Sequence, residues 1–221
     1  MSLPCHEIET GSTPAWCVLW LHGLGADGHD FAPIVPELVD PAWPALRFVF
    51  PHAPVRAVTV NGGLPMRAWY DIHGFDLTSR EDEAGIRASC TAVGDLIERE
   101  AARGIPAERV VLAGFSQGGA IALAAGLSAP CRLAGIIALS TYLPLAEATL
   151  AARSPANVAT PCFLAHGHYD PVVPLPFGLL ARDRLRLAGQ PVEWHEYAMG
   201  HAVVEDEIAD LRQWFDARLA G

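Results

Sequence analysis

The chain has 221 residues, 51% of them hydrophobic, a routine length and composition for one α/β domain, so a single domain over residues 1–221 is expected. Its formal net charge is −10 and all 15 basic residues are Arg, scattered along the chain, which leaves no electrostatic footprint for nucleic acid or an anionic lipid surface. The absence of Lys excludes Schiff-base chemistry, a lysine-anchored pyridoxal cofactor and the Walker lysine together.

The first eleven residues carry acids, no basic residue and no apolar core, which is not the pattern of a secretory signal. No apolar run approaches the roughly 18 residues that would span a bilayer, so stable membrane insertion is not expected. Five Cys, at positions 5, 17, 90, 131 and 162, are odd in number, widely spaced and mostly inside apolar runs. That fits reduced core thiols rather than disulfides or a zinc site, and a cytoplasmic protein is the expectation.

Trp16 to Leu21 reads as a buried strand running into the small-residue turn His22-Gly23-Leu24-Gly25-Ala26-Asp27-Gly28. The Pro-rich stretch from Pro33 to Pro54 reads as short connections. From Asn61 to Phe75, Leu64, Met66, Trp69, Tyr70 and Ile72 follow neither a helical nor a strand period for long. Apolar side chains in such an irregular segment would face water, so Leu64, Met66, Trp69 and Tyr70 are candidate walls of a substrate pocket, with core packing the alternative for the two aromatics.

An apolar strand, Arg109 to Ala113, then enters Gly114-Phe115-Ser116-Gln117-Gly118-Gly119, and an Ala-rich helical run, Ala120 to Leu127, leaves it. Strand, sharp turn and helix around Gly-x-Ser-x-Gly make a nucleophile elbow: the turn holds the Ser116 hydroxyl clear of the sheet, and small residues two positions either side let strand and helix cross. A helix-capping Ser after a glycine turn is the plainer alternative. A serine nucleophile also needs a carboxylate and a histidine, following in that order in this kind of fold.

Both follow. Pro161 to Gly167 reads as a buried strand, and the loop His168-Tyr169-Asp170-Pro171-Val172-Val173-Pro174 can present Asp170 at its carboxyl end, with Val172 and Val173 as further pocket candidates. A helical run from Phe177 to Ala188 and an alternating strand, Val192 to Tyr197, lead to the turn Ala198-Met199-Gly200-His201. Residues 205–219 form an amphipathic closing helix. The strand-helix rhythm predicts a mostly parallel sheet with helices on both faces and right-handed crossovers, its functional residues on loops after strands. Connections this short leave no room for a large cap domain, which also argues against cleavage of long peptides.

In an elbow of this kind the backbone N–H after the nucleophile and one from an early strand-helix loop receive the oxyanion, which points to Gln117 and Leu24. His166-Gly167-His168, or His22 with His29, are paired imidazoles without a third ligand at a usable spacing, so no metal and no cofactor are expected. His22 and His166 read instead as local hydrogen-bonding braces, under the oxyanion turn and the Asp170 loop.

The segments Leu21-His22-Gly23-Leu24-Gly25-Ala26-Asp27, Met66 to Ile72, Asp82-Glu83-Ala84-Gly85-Ile86, Gly114 to Gly119, Ala138 to Pro144, His166-Gly167 with Asp170, and Met199-Gly200-His201 resemble the phospholipase/carboxylesterase family of α/β-hydrolases, the small carboxylesterases and acyl-protein thioesterases. The resemblance runs nearly from end to end. It implies an α/β-hydrolase fold and a serine carboxylesterase acting on esters or thioesters through Ser116, Asp170 and His201, with Leu24 and Gln117 as oxyanion donors. It also implies that the variable loop from about Asn61 to Thr78 lines the acyl channel. The implied partner is a small-molecule ester or an acylated substrate. Readings left open are an acyl-protein thioesterase or lysophospholipase acting on protein- or lipid-linked chains, and a catalytically silent hydrolase-fold binder. The sequence also leaves the oligomeric state open, a homodimer included.

Overall fold

The computed structural model describes residues 3–74 and 80–219. Seven strands form one sheet in the order β1 (Cys5–Glu9), β3 (Leu46–Pro51), β2 (Trp16–Leu21), β6 (Val110–Phe115), β7 (Gly135–Leu139), β8 (Cys162–Gly167), β9 (Val192–Tyr197). Only β1 is antiparallel to its neighbour; every other pair is parallel. All the parallel strands therefore end on one side, and the loops beyond those ends can converge.

Alternation along the central strands explains the layering. Cys17, Leu19 and Leu21 of β2 and Val110 and Leu112 of β6 face one apolar cluster, together with α2 (Glu83–Ala102), α3 (Gln117–Ser128) and α5 (Leu175–Leu187). Val18 and Trp20, with Val111 and Ala113, face a second cluster, closed by α1 (Val35–Leu38) and α6 (Glu205–Leu219). Both faces are covered, so the inner strands are apolar throughout rather than alternating with polar residues. A shorter helix, α4 (Ala146–Ala151), follows β7.

Two expectations need correction. The stretch from Pro33 to Pro54 is more than a connection: it contains α1 and the fully buried strand β3. Arg47 interrupts the apolar run of β3, and the fold accommodates it by pairing the guanidinium with Glu9 and with the fully buried Glu100, each at 2.8 Å. The segment from Asn61 is also partly regular: β5 (Leu64–Arg67) pairs antiparallel with β4 (Val55–Val58) as a separate two-stranded ribbon. Its strand period was hidden because both strands are short and half exposed, so little alternation develops. The part of that segment from residue 75 to residue 78 lies outside the described residues.

Candidate active site

Ser116 sits between β6 and α3 at φ 54°, ψ −121°, a backbone conformation that an L-residue adopts only when its surroundings hold it there. Three hydrogen bonds do so. The Ser116 N–H donates to the Leu139 carbonyl at 2.8 Å, and the Ser116 carbonyl accepts from the Thr141 hydroxyl at 2.7 Å and from the Ala120 N–H at 3.1 Å. The crossing beside it is tight: a Cβ at Gly118 would lie 2.2 Å from the Leu21 carbonyl oxygen, so only glycine permits α3 to start there.

The Asp170 and His201 loops are clasped in the same way. A Cβ at Gly167, the last residue of β8, would lie 2.3 Å from the Gly200 carbonyl oxygen, and the Tyr169 N–H donates to the Met199 carbonyl at 3.0 Å. Asp170 Oδ2 accepts from His201 Nδ1 at 2.7 Å, while Oδ1 accepts the N–H groups of Val172 and Val173 at 2.8 and 2.9 Å. Burial raises the Asp170 pKa, but the His201 ring and the two amides outweigh it, and the carboxyl titrates below its ordinary range. With a carboxylate on Nδ1, that nitrogen carries the ring proton and Nε2 keeps its lone pair. The His201 ring lies against Phe115, immediately before Ser116, with centroids 4.6 Å apart.

The turn after β2, residues 22–28, comes directly against the elbow: the Cβ position of Gly23 is 3.5 Å from Ser116 Cβ. His22 braces it. Its Nδ1 donates to the Gly23 carbonyl at 2.7 Å and its Nε2 accepts the Ala53 N–H at 3.0 Å, a pairing that requires the neutral ring; burial correspondingly lowers its pKa. Among the described residues, the Leu24 and Gln117 N–H groups have no hydrogen-bond acceptor. His166 plays the corresponding part under Asp170, its Nε2 donating to the Val173 carbonyl at 2.7 Å.

The residues expected to wall a pocket divide. Leu64 is 62% exposed and Val172 58% exposed, and the half-buried Met66 places Sδ 3.9 Å from the Cβ position of Gly25. The ribbon is tied to the turn after β2 by the Gly25 N–H, which donates to the Arg67 carbonyl at 2.9 Å. Trp69, Tyr70 and Val173, by contrast, are core residues, and the expectation of pocket walls is corrected for them. Trp69 Nε1 donates to the His22 carbonyl at 2.9 Å, Tyr70 shares a 2.9 Å hydrogen bond with the Tyr142 hydroxyl, and Val173 spends both backbone polar groups on Asp170 and His166.

Sequence reasoning missed the side-chain role of Gln117. Its Oε1 accepts the Trp69 N–H and its Nε2 donates to the Tyr70 carbonyl, both at 2.8 Å, so one buried amide locks residues 69 and 70 onto the elbow. A long amide directly after Ser116, at a buried helix start, was the available signal. A cavity of about 400 Å³ lies nearby between the end of β7 and α5, lined by Tyr142, Leu143, Leu145, Phe177 and Arg184 among others, but by none of Ser116, Asp170 and His201. The five thiols are free. Among the described residues no helix is long and apolar enough to cross a membrane.

Comparison with known proteins agrees with this architecture. The family model described as phospholipase/carboxylesterase matches residues 3–219. Acyl-protein thioesterase 1 of Neurospora crassa is 42% identical over 216 residues, covering 91% of this chain and 86% of that protein. Its Yarrowia lipolytica counterpart is 36% identical over 221 residues, covering 98% and 97%. Among solved structures, Arabidopsis thaliana SOBER1 superposes with a TM-score of 0.86 at 32% identity, covering 92% of this chain and 99% of its own. Zea mays acyl-protein thioesterase 2 gives 0.85 at 28% identity, covering 98% and 99%. The chain belongs to the phospholipase/carboxylesterase family of α/β-hydrolases and is a serine hydrolase.

Proposed function

We propose that this enzyme hydrolyses carboxylic esters and thioesters by two-step acyl transfer at Ser116, with His201 as general base and acid and Asp170 as its orienting carboxylate. The observation that carries the reading is the 2.7 Å bond from His201 Nδ1 to Asp170, at the same sheet end where Ser116 is held at φ 54°. His201 Nε2 takes the Ser116 proton as Oγ attacks the acyl carbonyl, and the imidazolium that forms is stabilised by Asp170. The N–H groups of Leu24 and Gln117, without an acceptor among the described residues, receive the oxyanion. His201 returns the proton to the leaving alcohol or thiol. Water then repeats the attack on the acyl-enzyme and releases the acid, with no metal or cofactor in any step.

The acyl chain lies along the β4–β5 ribbon against Leu64 and Met66, with the exposed Val172, whose amide binds Asp170, as a further contact. Exposed apolar area of this kind costs roughly 25 cal/mol per Å², a cost that an alkyl chain relieves. Similarity to acyl-protein thioesterases supports a long-chain thioester as substrate, and five free thiols support residence in the reducing cytoplasm. Steady-state kinetics on p-nitrophenyl acetate, p-nitrophenyl octanoate and an S-octanoyl thioester test the reading. Leu64→Ala and Met66→Ala should lower kcat/KM for the octanoyl substrates by about 1–3 kcal/mol while the acetyl ester changes much less. A parallel loss at all chain lengths would make the ribbon purely structural.

A further inference from the structure

Away from Ser116, three imidazoles gather beside the edge of the sheet. His29 lies on the turn after β2, His52 directly follows β3, and His6 lies on β1 opposite Phe50 in the antiparallel ladder. Ring centroids are 4.6 Å apart for His6 and His29, and 5.2 Å for His29 and His52. Asp27 completes the group: Asp27, His29 and His52 each bring a ligand atom within 4.8 Å of the other two.

Existing contacts position the ligand atoms. Asp27 Oδ1 accepts the His29 backbone N–H at 2.8 Å and stands 3.1 Å from His29 Nδ1, so the two face each other across a gap that an ion can bridge once the ring proton sits on Nε2 and Nδ1 offers its lone pair. His52 Nδ1 accepts the Gly28 N–H at 3.0 Å, so the lone pair of His52 is the one that holds the turn. Ligand atoms around a tetrahedral ion at about 2.0–2.2 Å stand roughly 3.4 Å apart, which atoms within 4.8 Å of one another reach by closing up to about 1.4 Å. The side chains of His29 and Asp27 are 63% and 45% exposed and have room for that movement.

We propose that Asp27, His29 and His52, with His6 alongside, form an inhibitory site for a zinc-class divalent cation. Two or three imidazoles with one carboxylate suit a borderline cation such as Zn²⁺, whereas Mg²⁺ and Ca²⁺ require oxygen donors. To take the His52 lone pair the ion displaces the Gly28 N–H, and Gly28 lies four residues beyond Leu24 on one short turn. Binding therefore reshapes the turn that presents the Leu24 amide, and ester hydrolysis slows. The inhibitory half rests on the oxyanion role of Leu24; the binding half does not.

Isothermal titration of the metal-free full chain with ZnCl₂, with MgCl₂ as control, reads the binding directly. One Zn²⁺ per chain and no Mg²⁺ should bind, and His29→Ala and His52→Ala should each weaken Zn²⁺ by at least about tenfold. His29→Ala removes an exposed ring and keeps the test decisive if His52→Ala perturbs the turn by itself. Hydrolysis of p-nitrophenyl acetate should fall in step with occupancy and recover on chelation. No saturable binding, or binding that neither substitution moves, overturns the site; stoichiometric binding without loss of rate overturns its inhibitory role.

Discussion

Replacing Glu207 with Gln removes a carboxyl that the fold holds most favourably in its neutral form. Glu207 lies in the first turn of α6, is fully buried, and among the described residues neither of its carboxyl oxygens has a hydrogen-bond partner. Burial pushes its pKa up from 4.5 to about 8; the Val204 amide faces it without hydrogen-bond geometry and offsets burial only in part, and Asp210 adds like charge. Between those two values the folded state binds the proton more tightly than the unfolded state, so stability is full below about pH 4.5 and falls as pH rises towards 8. At about 1.36 kcal/mol per pH unit, the loss between pH 5 and pH 8 is about 3 kcal/mol. Gln does not titrate. Glu207→Gln should therefore gain on the native protein by about 3 kcal/mol over that range, or roughly 6–12 °C in Tm for a chain of this size. Thermal melts of both proteins at pH 5, 6, 7 and 8 measure the gap. Parallel curves would show that Glu207 ionises freely and that the buried-acid argument fails.

Two further substitutions probe the site itself. Ser116→Ala and His201→Ala should each lower kcat by about 10⁶, a magnitude taken from another serine hydrolase, and the double variant should lose hardly more because the residues act as one unit; multiplicative losses in steady-state kinetics would contradict a shared proton transfer. Gln117→Ala keeps the backbone N–H but orphans the buried Trp69 N–H and Tyr70 carbonyl, each at about 1–3 kcal/mol, so urea melts should show about 2–6 kcal/mol of lost stability. A loss below about 1 kcal/mol would mean that water replaces the amide.

What the sequence revealed depended on where the chemistry is written. Ser116, Asp170 and His201 each sit in short motifs, and contacts of 2.2 and 2.3 Å require the glycines at 118 and 167 beside Ser116 and before Asp170, so the local pattern carried the geometry. The strands β2, β6 and β8 were legible because their apolar runs stand between turns, and β9 because its residues alternate. Strand β3 was not, since Arg47 breaks its apolar run and its partners Glu9 and Glu100 lie 38 and 53 residues away. Distance in sequence also hid the other long-range features. Trp69 and Tyr70 look exposed in an irregular segment until Gln117 and Tyr142 arrive from elsewhere, and His29 has no obvious partners until β1 and β3 bring His6 and His52 beside it.

The central claim is that Ser116 is the base-activated nucleophile, and covalent labelling tests it most directly. Folded enzyme treated with a fluorophosphonate should gain one adduct, peptide mapping should place it on Ser116, and His201→Ala should all but abolish it, because the reaction needs both an activated hydroxyl and oxyanion donors. An adduct on Ser140 or Ser154 instead, or no adduct on folded protein, would contradict the assignment.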